Sequence, residues 1–138
     1  MSWSDKCIAA LAEKKLFENS GHRTRFKELL DCYADYPFFN RDLCKCMYLS
    51  AWDEEHFCIM LETLMSMSLG QERNTDDMRI QGDVLAGDEP TPDYYMYQLS
   101  NAFLDGAPFR LSPDADIDPE KRYTIRQALR AAEVIDSI

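Results

Sequence analysis

Residues 53–69 read DEEHFCIMLETLMSMSL, and this stretch decides the fold class. Three acids open it, and an apolar run follows. Phe57, Met60, Leu61, Leu64 and Ser68 fall on one helical stripe, which Cys58, Ile59 and Met65 widen well beyond an ordinary amphipathic face. A helix apolar on most sides is one with neighbours packed around it. The spacing therefore predicts a buried central helix over about 53–69, inside a compact all-α bundle of six to seven helices.

The flanking sequence supplies the other helices. Upstream, Ser50 to Asp53 has the spacing of a capping box, which starts the central helix directly after a third helix over 41–51. Asn40 caps that third helix, and Leu43, Cys46, Met47 and Ala51 share its inner face. A first helix is expected over 4–18, stopped by Asn19-Ser20-Gly21, and a second over 23–35, ended by Pro37. Downstream, Gly70 is the expected left-handed residue closing the central helix. Thr75-Asp76-Asp77 starts a short helix that Gly82 and Gly87 threaten to interrupt. Thr91-Pro92 and Asp118-Pro119 are cap-then-proline starts, the first helix closing at Gly106 and the second running nearly to residue 138. No alternating strand pattern with hairpin turns occurs.

The chain has 138 residues, which points to a single helical domain over 1–138 with a core of its own. The N-terminal residues mix acids and lysines where a secretory leader needs an unbroken apolar run. No stretch approaches a membrane span, so neither a membrane partner nor a membrane location is expected. Five cysteines, an odd number set mostly among apolar residues, fit free thiols in a reducing compartment, and the expected location is cytoplasmic.

Net charge is −10, and it is unevenly placed. Residues 53–118 hold three Arg against fifteen Asp+Glu, while the segments on either side are nearly neutral. Such a block repels polyanions and attracts cationic surfaces, which excludes direct nucleic-acid binding through phosphate neutralisation. Asp76, Asp77, Asp83, Asp88, Glu89, Asp93, Tyr94, Tyr95 and Tyr97 are the candidate partner-binding residues. Carboxylates there stand beside a tyrosine cluster that one helix cannot bury on a single face. The expected function is a non-catalytic acidic protein-binding module with a basic partner. Its sharper form is an inhibitor that mimics nucleic acid and occupies the basic groove of a nucleic-acid-binding protein or nuclease.

Two other readings compete. Trp3, Trp52, Phe38 and Phe39 would form the apolar interface of a helical assembly module, in its self-associating version a homodimer. Cys44, Cys46, His56 and Cys58 would serve a metal- or thiol-dependent enzyme. The C-x-C and H-x-C spacings turn neighbouring ligands to different helix faces, so the pattern assigns no metal. Asp114, Asp116 and Asp118 resemble the opening of a calcium loop, but Pro119 and Ile125 stand where glycine and glutamate are needed. His22, in a Gly-His-Arg turn, is expected to be solvated. No cofactor and no catalytic residue follow from these patterns.

Overall fold

The computed structural model describes residues 1–88 and 91–138. In chain order the elements are α1 (Trp3–Glu13), α2 (Ser20–Tyr33), α3 (Arg41–Ser50), α4 (Glu54–Leu69), α5 (Asp76–Ala86), α6 (Pro92–Asp105) and α7 (Pro119–Asp136). Seven helices and no strand among the described residues match the expected all-α bundle.

Local chemistry sets the starts. Ser2, Asn19, Asn40, Asp53, Thr91 and Asp118 lie extended before their helices, and each side chain accepts the backbone N–H three residues on. Each bond satisfies one of the donors a helix start leaves orphaned. Two of the ends differ from expectation. The first helix closes at Glu13, not near residue 18, because Lys15 turns left-handed at φ 58°. The N–H groups of Lys15 and Leu16 then bond back to Ala12 and Leu11, both at 3.0 Å, and Leu16 drops into the core. This is a Schellman closure carried by a lysine. Asn19 accordingly caps α2 instead of stopping α1. At the end of α4 the left-handed residue is Gln71 (φ 54°), while Gly70 stays right-handed at φ −79°.

The central position belongs to α3, which corrects the expectation that the 53–69 helix is the buried post. Every residue from Leu43 to Leu49 is buried, and α2, α4, α6 and α7 pack around this helix. Lys45 disguised it in the sequence. Its stem lies in the core, only 8% exposed, and its ammonium reaches Asp42 at 3.2 Å and Asp136 of α7 at 2.8 Å. By contrast α4 buries His56, Met60, Leu64 and Met67, against α2 and α3. Its opposite side is open: Cys58 is exposed, Met65 is 54% exposed and Leu69 79%.

His22 is also misplaced by the sequence reading. It is 1% exposed, inside α2. Its Nδ1 accepts the Glu18 backbone N–H at 3.2 Å, and its Nε2 donates to the Tyr48 carbonyl at 2.8 Å. The Tyr48 hydroxyl donates in turn to the Leu16 carbonyl. These three bonds hold the α1–α2 corner onto α3. Burial, outweighing the bond to Tyr48, pushes the imidazole down to about 4.

Gly82 does not break α5. It lies on the buried side of the helix against Asn101 of α6, where a Cβ would collide with the Asn101 side chain. Glycine permits α5 and α6 to approach closely here. Gly82→Ala should therefore destabilise by about 1–3 kcal/mol through overpacking, despite the better helix propensity of alanine. In an Asn101→Ala background the same change should turn neutral or stabilise by up to about 1 kcal/mol, as urea titrations of the four-protein cycle would show.

Candidate partner-binding groove

The side walls of α4 and α5 stand apart over a groove floored by α3 and α6. The Thr63 hydroxyl meets the Gln81 side-chain amide across it at 3.1 Å. On one side lies an apolar cavity of about 50 Å³, walled by Leu49, Ile59, Met60, Met78, Leu85 and Met96. Drug-sized ligands occupy pockets roughly six or more times larger, so this hollow suits one apolar side chain and not a small-molecule substrate. On the other side lies a recess of about 290 Å³ that presents Glu62, Ser66, Glu72 and Asp77. Ile59, Thr63, Met78 and Gln81 wall both hollows, which makes them parts of one groove.

No lysine or arginine lines either hollow among the described residues. The acids in the recess crowd one another. The Glu72 carboxyl is held above its usual range, first by its hydrogen bond with Asp77, then by slight burial and by the Asp77 charge. The groove thus combines apolar walls with negative charge and, among the described residues, no lysine or arginine in its lining.

Trp52, His56 and Tyr97 close the apolar end. His56 is 8% exposed, with Asp53 Oδ1 at 2.9 Å from Nδ1 and Asp93 Oδ1 at 3.1 Å from Nε2. A carboxylate only accepts, so both contacts are hydrogen bonds when the ring carries both protons. The ring also packs on Trp52, tilted by 36° at a centroid distance of 4.3 Å. Asp53 belongs to the start of α4 and Asp93 to α6, so His56 clasps the two helices together at this end. The Tyr97 phenol, nearby, is pushed up to about 12 by burial and then by Asp93, Glu55 and Asp53.

The sequence-derived candidates are only partly assembled here. Asp77 lines the recess, and Asp93 and Tyr97 frame the apolar end. Asp76 and Asp88 are exposed but line neither hollow. Asp83 is already paired, with Arg79 Nη1 at 2.9 Å and Asn101 Nδ2 at 3.1 Å, and the same Arg79 holds Asp105. Tyr94, Tyr95 and Tyr97 are all half-buried. Tyr94 accepts a hydrogen bond from Gln98 at 2.7 Å and meets Tyr95 edge-on, while Tyr95 packs on the core. Glu89 lies outside the described residues. Sequence reasoning missed Ile59, Glu62, Glu72 and Leu85. For Ile59 the available signal was the apolar width of 53–69, which exceeds what one buried face consumes, and for the other three no such signal existed.

The residues of the two competing readings are dispersed. Phe38 is 2% exposed, and Trp3, Phe39 and Trp52 pack half-buried against the core, so the expected set of exposed apolar anchors is not presented. Cys44 is buried, and burial holds its thiol well above the usual range. Cys46 donates to the Ser100 carbonyl at 3.3 Å, and burial pushes it to about 12. Cys58 lies on the exposed side of α4, and His56 is engaged with two aspartates. Cys46 and His56 both line the apolar hollow, Cys44 and Cys58 do not, and among the described residues no group of three or more His, Cys, Asp or Glu converges as metal ligands would. No helix among them is long and apolar enough to cross a membrane.

No protein-family model, curated protein sequence or solved structure matches this chain.

Proposed function

We propose that the protein is a non-catalytic binding module for a basic protein partner. One observation carries this reading: a groove with apolar walls whose flanking carboxylates, Glu62, Glu72 and Asp77, meet no lysine or arginine in its lining among the described residues. Buried apolar area supplies affinity in such an interface, and complementary charge supplies register and encounter rate. Mimicry of a phosphate row draws less support from the geometry, because Asp83 and Asp93 are committed to Arg79 and His56. The reading therefore rests on docking, with nucleic-acid-handling proteins one class of basic partner among others.

The immobilised protein should retain a basic protein from host lysate at low salt and release it near 1 M salt, where the screening length falls to about 3 Å. The triple variant Glu62→Gln, Glu72→Gln, Asp77→Asn should lose that protein. Retention that ignores both the salt and the three substitutions would sink the reading.

A further inference from the structure

We infer that the occupant of the α4–α5 groove is an amphipathic helix of another protein, with lysine or arginine beside its apolar stripe. This rests on the reading above, and specifies what docks. Three features lead to it.

The first is the backbone. Among the described residues the chain is all-helical, with no open strand edge to pair with an extended peptide. A helix satisfies its own backbone groups and needs only side-chain contacts, which two flanking helices provide. The second is shape. Buried methionines line the apolar hollow (Met60, Met78 and Met96), and unbranched, polarisable side chains can repack around an apolar side chain inserted from a docked helix. The hollow of about 50 Å³ admits one apolar side chain, and the larger recess beside it admits a long cationic one onto Glu62, Glu72 and Asp77. The third is charge. A second copy of this chain offers its own acidic α4 and α5, which would repel. Its net-basic helices are α2, α3 and α7, and each buries its apolar residues in its own core, Phe26, Leu29 and Leu30 on α2, Leu43 and Met47 on α3, Ile125 and Ile135 on α7. A second copy thus has no basic amphipathic helix to spare.

The test uses a synthetic Leu/Lys amphipathic helix of about 18 residues, on the order of five turns, with fluorescence anisotropy as readout. Its controls are a scrambled peptide of the same composition and a Leu/Glu counterpart. The amphipathic Leu/Lys peptide should bind at least about tenfold tighter than the scrambled one. Leu85→Gln, a change at the groove rim, should remove most of that preference. Ile80→Gln, at an exposed position of the same helix that lines neither hollow, should leave it intact. If Leu85→Gln fails to fold, Gln81→Arg places a cation at the exposed rim and should weaken the Leu/Lys peptide by a similar factor. Equal binding of amphipathic and scrambled basic peptides would overturn the helix inference and leave the basic-partner reading standing. Binding of neither basic peptide above the Leu/Glu control would remove both. Concentration-dependent self-association in sedimentation velocity, abolished by Leu85→Gln, would make a second copy the occupant and overturn the inference.

Discussion

Met47→Ala should cost about 2–5 kcal/mol of unfolding free energy, whereas Met65→Ala should cost less than about 0.5 kcal/mol. Both residues are methionines inside helices, and the contrast comes from where the helices sit. Met47 is fully buried on α3, the helix that four others pack around, and its truncation leaves a cavity that rigid helices cannot collapse onto. Met65 faces outward from α4 at 54% exposure, so shortening it removes little buried area. Urea denaturation of the two variants measures the difference directly. Comparable losses would return the central role to the 53–69 helix.

Acidification should expose His22 as a stability-limiting group. The ring titrates near 6.5 in an unfolded chain and at about 4 in the fold, because burial opposes its charge. Below pH 6.5 the unfolded chain takes up a proton that the fold refuses. The stability contributed by neutral His22 is therefore complete above about pH 6.5 and is lost as pH falls towards 4. At about 1.4 kcal/mol per unit the loss approaches about 3 kcal/mol. Glu18, in the same corner, works the other way. Burial raises its carboxyl, partly offset by a hydrogen bond from Thr124, so protonation at acid pH relieves the fold. His22→Gln removes the titrating ring. The wild type should lose about 2–3 kcal/mol relative to this variant between about pH 7 and pH 4.5, read from paired urea midpoints. Parallel pH profiles would show that the corner opens to water before the ring is tested.

The fold class was legible because caps are local. Asn40, Thr91 and Asp118 each act on an amide three residues away, so a linear reading finds them, whereas Ser50, read as the cap of α4, is the last residue of α3 and Asp53 is the cap. The choice of central helix was not local. Composition ranks 53–69 above 41–50, because Lys45 and Asp42 give α3 the look of a surface helix. Only Asp136, supplied by α7, shows that Lys45 is anchored from the core outward. Gly82 misled in the same manner: read alone it interrupts a helix, but against Asn101 it is what allows two helices to touch. The groove was half legible. The surplus of acids between 53 and 118 was countable, but pairing among them was not. Arg79 and His56 already engage Asp83 and Asp93, and Glu62 and Glu72 face a recess that no residue spacing encodes.

The covering of α3 has a consequence for how the protein emerges from a ribosome. Two of its four covering helices, α6 and α7, lie at the far end of the chain from it. A nascent chain that has released α1 to α5 still shows water the side of α3 that α6 and α7 later hide, where Cys46 meets Ser100 and Lys45 meets Asp136. Pairings of such long sequence separation form late and slowly. Until α7 arrives, the incomplete bundle presents its apolar centre to the surroundings, as partly made domains do to chaperones and to one another. The interval before α7 emerges is therefore the one in which aggregation threatens this bundle most, and the arrival of α7 ends it by closing the bundle.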